Sequence, residues 1–195
     1  MSDGIFFFVV GPSGAGKDSL IDGARDVLRD FVFARRVVTR PHGSPGEDHE
    51  ALNETGFTRL EEQGGFLITW SAHGLRYGLR HDNLDALSQG RHVVANGSRA
   101  MINMLSTRVP RLVVVEVSAP ASVLAARILA RGRETPDEVA KRVMRQVEPT
   151  SADVEVLKVL NDGTLEQGIE RFVAALQRAA QPAQIGRASC RERVC

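Results

Sequence analysis

Cysteine is almost absent from this chain: only two of its 195 residues are cysteines, and both, Cys190 and Cys195, lie among the last six residues. A disulfide-stapled fold and a zinc site built from thiolates are therefore excluded for the body of the chain. The final segment, IGRASCRERVC, shows neither helical nor strand periodicity. We interpret residues 185–195 as a disordered tail whose composition suggests a cloning origin, and we leave it out of the fold prediction.

Long hydrophobic runs and an excess of charge of one sign are also missing. The apolar runs at 5–10 and 112–117 have strand length and are too short to cross a membrane. No basic segment precedes the first run, which predicts that the chain carries no signal peptide. A net charge of +1 does not supply the basic footprint of a nucleic-acid-binding protein. We therefore expect a cytoplasmic enzyme with no membrane or nucleic-acid partner.

Strand-like and helix-like segments alternate along the chain. Apolar strand patterns occupy residues 5–10, 31–39, 66–72, 92–96 and 111–117, and VEVLKVL follows at 154–160. Helical patterns occupy 17–29, 82–88, 121–130, 136–147 and 165–179, and Thr58 is expected to cap one more short helix. This alternation predicts an α/β fold, with a parallel core sheet of five strands wrapped by helices. Residues 1–184 would then form a single domain.

The segment GPSGAGKDS at 11–19 directly follows the first apolar run. Its G-x-x-x-x-G-K spacing, placed between a strand and a helix, is that of a phosphate-binding P-loop. Glycines allow backbone conformations in which consecutive amides converge on a phosphate at the start of a helix, and Lys17 adds a cation. A nucleoside triphosphate, here ATP, is the predicted ligand. The predicted nucleotide-binding residues of the loop are Gly11, Pro12, Ser13, Gly14, Ala15, Gly16, Lys17, Asp18 and Ser19.

The residue after the P-loop lysine departs from the usual pattern. A serine or threonine normally stands there and holds Mg²⁺ with its hydroxyl, whereas this chain has Asp18 followed by Ser19. Because carboxylates are good ligands for hard cations, Asp18 and Ser19 are candidate Mg²⁺ ligands, either directly or through water. Alternatively, Asp18 only interacts favourably with the helix dipole. The sequence leaves both interpretations open.

Arginines are concentrated between residues 127 and 148. Arg127 and Arg131 lie four residues apart and so share a helix face, and Gly132 marks a break between two predicted helices. Phosphoryl transfer needs cations around the migrating group, because the protein does little covalent chemistry there. The pattern predicts an arginine lid over 127–148. The alternative is a solvated charged face whose arginines pair with neighbouring carboxylates.

These segments together resemble the guanylate-kinase-like P-loop kinases. The P-loop, VVTRP, WSAHGLRYG, RGRE and an Asn-Asp corner occur in that family's order over about residues 5–180. The resemblance implies an acceptor-binding insert over about 34–92, in which Arg40 and Tyr77 hold an acceptor phosphate. It further implies that Asn161 and Asp162 lie near the adenine of ATP, and we expect Arg127 to contact the nucleotide as well. It also implies that Arg131 and Arg142 act with Lys17 on the transferring group.

Several positions depart from guanylate kinase where that enzyme reads its base. Thr69 stands where the family has a base-reading glutamate, His49 replaces a tyrosine, and Leu79 replaces a serine or threonine. Asn96 stands where the family has an acidic residue at the end of a strand. Since a site built on hydrogen bonds discriminates strongly, losing these groups predicts a pocket that binds phosphate and does not read guanine.

The chain resembles more closely the ribose 1,5-bisphosphate phosphokinases of phosphonate breakdown. The shared segments are GPSGAGKDSL with its Lys-Asp pair, VTR followed by GEDHEAL, WSAHGLRYGL, VVANGSRA and RGRE. The implied reaction is ATP plus ribose 1,5-bisphosphate giving ADP and 5-phosphoribosyl 1-diphosphate. The nucleophile would be an oxygen of the sugar 1-phosphate, which is largely dianionic at neutral pH, so we expect no general base. The candidate acceptor-binding residues are Arg36, Arg40, His49, Tyr77, Asn96, Ser98 and Arg99.

Two other functions remain open from the sequence: a nucleoside monophosphate kinase with an altered base pocket, and a non-catalytic binding domain of the same fold. Binding domains of that kind lose the cations of the P-loop and lid, which this chain keeps. We expect a monomer or a homodimer.

Overall fold

The computed structural model describes residues 4–40, 48–130 and 153–181. Five parallel strands form the central sheet: β1 (Phe6–Val10), β2 (Val32–Phe33), β7 (Val93–Asn96), β8 (Leu112–Ser118) and β9 (Glu155–Leu160). Their order is β2-β7-β1-β8-β9. The prediction of a parallel five-stranded core is therefore confirmed. Because β1 lies between β7 and β8, the segments after these three strands meet at one edge of the sheet.

Four further strands form a separate sheet, which we call the insert sheet. They are β3 (Arg36–Val38), β4 (His49–Ala51), β5 (Phe66–Ala72) and β6 (Leu75–Arg80), in the order β4-β3-β6-β5. The single strand expected over 31–39 is wrong, since its two halves pair in different sheets: Val32 with Val93, and Arg36 with His49. The apolar pattern is continuous there, so only long-range pairing reveals the division.

Six helices flank the sheets in the described part of the chain. They are α1 (Lys17–Arg25), α2 (Glu54–Glu62), α3 (Asn83–Ser88), α4 (Ile102–Ser106), α5 (Ala121–Ala130) and α6 (Leu165–Ala180). Helix α2 is capped by Asn53, whose side chain accepts from Gly56 N–H at 2.7 Å, so Thr58 is not the cap. A short 3₁₀ turn, Arg99–Met101, leads into α4, and neither was predicted. The expected helix over 136–147 and the tail lie outside the described residues.

The core lies on both faces of the central sheet, and every residue of β1 is therefore buried. Phe7 and Val9 pack in the cluster that contains α1 and α6. Phe6 and Phe8 pack in a second cluster that includes Ile68 and other residues of the insert sheet. Each fully buried phenylalanine contributes about 1.5–3 kcal/mol. The alternation along β1 therefore fixes the insert sheet to one face of the core. No helix among the described residues is long and apolar enough to cross a membrane.

His92 links the start of the core to the loop before β7. Its Nδ1 accepts from the Ile5 N–H at 3.1 Å, and its ring lies 4.8 Å from that of Phe31. Burial, helped by the charge of Arg111, lowers the pKa of His92. In the unfolded chain the histidine takes up a proton below about pH 6.5. In the folded protein it takes up the proton only at a lower pH. Stability from this site is therefore present above that pH and lost as the pH falls towards the lower folded pKa.

We accordingly expect the melting temperature to fall as the pH is lowered from 7.5 to 5.5. The fall should be smaller for His92→Asn, which keeps an acceptor and cannot titrate. Thermal melts of both proteins across this range measure the difference. Equal falls in the two proteins would contradict the role assigned to His92.

Candidate active site

The P-loop adopts the strand–turn–helix geometry that phosphate binding requires. It follows β1, and Gly16, in the left-handed conformation at φ 85°, forms the N-cap of α1. At Gly11, with φ 153°, a Cβ atom would lie 2.2 Å from the carbonyl oxygen of Val117. Lys17 Nζ donates to the carbonyl oxygens of Gly11 at 2.9 Å and Pro12 at 3.1 Å. The lysine thus folds back over the loop that it is predicted to serve.

Asn161 connects the end of β9 to the P-loop. Its side chain, in a residue only 3% exposed, donates from Nδ2 to Ala15 O at 2.8 Å. Its backbone N–H donates to Ser118 O at 2.8 Å, and its carbonyl accepts from Arg127 at 3.1 Å. The predicted nucleotide-site residues Arg127 and Asn161 are therefore in contact beside the loop. Asp162 instead pairs with Arg171 at 2.7 Å, and this hydrogen bond lowers the pKa of Asp162.

Arg36 and Tyr77 come together on the insert sheet. The Arg36 guanidinium lies 5.3 Å from the centroid of the buried Tyr77 ring, a cation–π geometry. Trp70, paired with Tyr77 across the β5–β6 hairpin, stacks on the same ring at 5.5 Å and an angle of 10°. Trp70, which was not among the predicted site residues, packs directly against this candidate acceptor-binding residue. Its position opposite Tyr77 in the hairpin is the sequence signal for that contact.

Positive charge is concentrated where His49 pairs with Arg36 across β3 and β4. Burial lowers the pKa of Arg36, and the nearby carboxylate of Asp18 partly opposes that shift. Burial also lowers the pKa of His49, and the charges of Arg40 and Arg36 add to this effect. His49 is therefore a neutral imidazole at neutral pH. This group of side chains (Arg36, Arg40, His49 and Tyr77), which we call the acceptor cluster, has the charge that suits a bound phosphate.

Two other arginines of the insert sheet are engaged by carboxylates. Arg76 pairs with Glu61, stacks over the ring of Phe57 at 4.4 Å, and donates to Thr58 at 2.8 Å. Thr69, at the position of the base-reading glutamate in guanylate kinases, donates its hydroxyl to Glu61 at 2.9 Å. Arg80 makes a two-point contact with Glu50, which raises the pKa of Arg80 and lowers that of Glu50. Neither Arg76 nor Arg80 joins the acceptor cluster.

The end of β7 and the turn that follows it bring Asn96 and Arg99 to the edge where the P-loop begins. Asn96 Nδ2 donates to Asp18 Oδ1 at 2.5 Å. Arg99 pairs with Glu116 at 2.7 Å, and both side chains are at most one-third exposed. Glu116 was not predicted, although it is the one charged residue within the apolar run of β8. The β1–β8 register sets it beside Val10 at the start of the P-loop.

Comparison with curated proteins shows which family this arrangement represents. Ribose 1,5-bisphosphate phosphokinase PhnN of Rhizobium etli is 43% identical over 176 residues, which cover 89% of each chain. The corresponding protein of Agrobacterium fabrum is 40% identical to this chain, and the match covers 98% of that protein. The chain belongs to the ribose 1,5-bisphosphate phosphokinase family. It is therefore a member of a family of kinases, as the sequence predicted. No model of a known protein family matches the chain.

A second group of relatives is longer. The bifunctional ribose 1,5-bisphosphokinase-thymidine phosphorylase of Cupriavidus pinatubonensis is 56% identical over 184 residues, which are 93% of this chain and 31% of that protein. The chain thus spans about a third of the length of these relatives. Among solved structures, guanylate kinase from Anaplasma phagocytophilum superposes with a TM-score of 0.63 at 18% identity, covering 94% of this chain and 89% of the other. That likeness confirms the guanylate-kinase-like fold.

The remaining predicted site residues of this phosphokinase-family chain fall into two groups: those that the structure describes and those outside the described residues. Ser19 lies exposed on α1, and Ser98 directly precedes the 3₁₀ turn that carries Arg99. Arg131 and Arg142, with most of the predicted lid, lie outside the described residues. Within the described ranges, no three His, Cys, Asp or Glu side chains cluster as a metal site.

Proposed function

We propose that this protein transfers the γ-phosphoryl group of ATP to the 1-phosphate of ribose 1,5-bisphosphate, giving ADP and 5-phosphoribosyl 1-diphosphate in the cytoplasm. The observation that carries the proposal is the acceptor cluster, which offers cations and a tyrosine on an insert sheet packed beside the P-loop strand. At the position of the base-reading glutamate, Thr69 is instead hydrogen-bonded to Glu61. This pocket favours a ligand with phosphates over one with a base. The family names support the same substrate, and the resemblance described above implies a role in phosphonate breakdown.

The P-loop amides and Lys17 would hold the β- and γ-phosphates of ATP. Lys17 Nζ, which donates to the carbonyl oxygens of Gly11 and Pro12, would donate to phosphate oxygens instead. Asn161 would keep the loop in place through Ala15. By family resemblance, Arg131 and Arg142 would neutralise charge on the migrating group. Most of the catalytic effect would then come from alignment and charge neutralisation, as phosphoryl transfer requires.

The acceptor would be held by Arg36, Arg40 and Tyr77, with the neutral His49 as a hydrogen-bonding partner. Arg99, fixed by Glu116, would face the second phosphate from the end of β7. The attacking group is already an anion, because the second pKa of a phosphate monoester is about 6. The site therefore has to overcome repulsion between two polyanions rather than remove a proton.

Mg²⁺ fits the donor chemistry at the start of α1. Asp18 offers a carboxylate beside Lys17, and Mg²⁺ in kinases is held by one or two carboxylates together with phosphate oxygens and water. When bound, the ion would supply charge neutralisation between the β- and γ-phosphates.

The longer relatives give separate support for a sugar phosphate as acceptor. Their names join the bisphosphokinase to a thymidine phosphorylase. Phosphorolysis of a nucleoside releases a sugar phosphorylated at its anomeric carbon. An acceptor phosphorylated at that carbon is what the proposed reaction requires.

A panel of acceptors tests the proposal directly. We expect ATP turnover with ribose 1,5-bisphosphate and at least about a hundredfold lower kcat/KM with GMP, AMP or ribose 5-phosphate, equivalent to roughly 2.7 kcal/mol. Phosphorus NMR should show a new diphosphate in the product. Efficient phosphorylation of GMP without reaction of the sugar bisphosphate would instead establish a nucleotide kinase. Absence of turnover with every acceptor would favour a non-catalytic domain.

A further inference from the structure

Asp18 and Asn96 join the P-loop helix to a neighbouring strand by a side-chain hydrogen bond. Asp18 directly follows Lys17 in the first turn of α1, and Asn96 is the last residue of β7, next to β1 in the sheet. The Asn96 amide donates to Asp18 Oδ1 at 2.5 Å. Although 78 positions separate them in sequence, the parallel β1–β7 register brings the two side chains together.

The chemistry of this pair is the reverse of the usual P-loop arrangement. In P-loop enzymes a serine or threonine hydroxyl follows the lysine, and an aspartate at a strand end supplies the carboxylate for Mg²⁺. Here the carboxylate follows Lys17, and the strand end carries a neutral amide. Both arrangements contain one carboxylate and one neutral oxygen, but the two have changed places.

A second observation places an unused acceptor at the same point. Asn96 is 4% exposed, and its Oδ1 is buried with no hydrogen-bond partner in the described part of the chain. Its amide nitrogen is already committed to Asp18. A buried carbonyl oxygen in this position calls for a donor. A water molecule bound to Mg²⁺ is such a donor, since the ion usually keeps several waters.

We propose that Asp18 and Asn96 form an exchanged magnesium site. Asp18 is the carboxylate ligand of the ion that accompanies ATP. Asn96 is a positioning residue, which orients that carboxylate through Nδ2 and accepts from a metal-bound water through Oδ1. The inference rests on the proposed ATP-dependent transfer and not on the identity of the acceptor.

Asp18 also lies close enough to Arg36 to affect its pKa, which offers a different role. In that case the carboxylate would only hold an acceptor-binding arginine in place. The two roles differ in what they change: a metal ligand governs cation affinity in the absence of acceptor, whereas a partner of Arg36 governs the KM for the acceptor.

The test measures Mn²⁺ binding by paramagnetic resonance, in the presence of a non-hydrolysable ATP analogue and without acceptor. We expect Asp18→Asn, which keeps the shape of the side chain, and Asp18→Ser to weaken Mn²⁺ binding at least tenfold. Affinity for the metal-free analogue should change less than threefold. Asp22→Ser, an exposed position one turn further along α1, is the matched control and should leave both affinities unchanged. Thermal melts establish that each variant is folded.

The exchange itself is tested by a double variant. Asn96→Asp alone sets two carboxylates at hydrogen-bonding distance and should lower the melting temperature in the absence of metal. Asp18→Ser combined with Asn96→Asp restores the common arrangement and should recover Mn²⁺ affinity to within threefold of the original protein. Unchanged Mn²⁺ affinity in Asp18→Asn, with only the acceptor KM raised, would overturn the proposal in favour of the Arg36 role. A double variant that binds Mn²⁺ no better than Asp18→Ser would also overturn it. Since no acceptor is present in the binding assay, its outcome is independent of the acceptor panel.

Discussion

Replacing Lys17 by alanine is expected to lower kcat by at least about a thousandfold, or roughly 4 kcal/mol of barrier. The ammonium group caps the carbonyls of Gly11 and Pro12 until phosphate binds, and its charge is needed most as the γ-phosphoryl group moves. The fold should survive, because the shape of the loop is set by its glycines and by Asn161. Steady-state kinetics with ribose 1,5-bisphosphate, together with a thermal melt, measure both effects.

Lys158 provides the matched control for the loss of a lysine. It lies exposed on β9, at the outer edge of the central sheet. Lys158→Ala should leave kcat within twofold of the original value. Turnover of Lys17→Ala within tenfold of the original protein would refute the P-loop assignment.

Replacing Gly11 by alanine should reduce both stability and activity. Alanine rarely adopts a φ of 153°, and a sparsely populated backbone conformation of this kind costs about 1–3 kcal/mol. The new Cβ would also lie 2.2 Å from the backbone oxygen of Val117, which a side-chain rotation cannot relieve. Overpacking of this kind costs about 1–3 kcal/mol more, so the melting temperature should fall by about 10 °C. Displacing the first loop residue by about 1 Å should lower kcat/KM about a hundredfold.

Gly74→Ala is the control that introduces backbone strain without a steric clash. The φ of Gly74, 72° in the β5–β6 hairpin, is also one that alanine rarely adopts, and a Cβ there would have nothing within 4 Å. Gly74→Ala should therefore lower the melting temperature by only about 4 °C and leave kcat/KM within threefold. Equal losses in the two variants would show that close packing against Val117 contributes nothing.

The strand–turn–helix geometry of the P-loop was the most predictable part of the molecule, because its signals are local. A strand, a glycine-rich turn and a lysine lie within twelve consecutive residues, and each constrains the backbone of its neighbours. The boundaries of α5 matched their prediction for the same reason, since helical periodicity is a local property. The predicted cap of α2 was wrong because Asn53 and Thr58 are both acceptable capping residues. The helix begins directly after Asn53, whose side chain accepts from the Gly56 N–H.

The acceptor side could be predicted only as a list of residue types. Arg36, His49 and Tyr77 were candidates, and Arg36 was one without support from a motif. Composition cannot show that the strand after Phe33 leaves the central sheet to place Arg36 beside Tyr77. The supporting contacts of Trp70 and Glu116 were likewise missed, since they follow from strand register.

The sequence by itself determined the α/β class, the P-loop and the family, because each depends on short segments whose residues act on their neighbours. The tertiary structure decided which distant side chains share an environment. It showed that Thr69 donates to Glu61, that Asn161 donates to the carbonyl oxygen of Ala15, and that Asn96 donates to Asp18. The Asn96 side-chain oxygen is buried without a hydrogen-bond partner among the described residues. These contacts depend on which strands pair and in what register. Pairing between strands far apart in the sequence depends on the burial of whole sheet faces, which a short segment does not specify by itself.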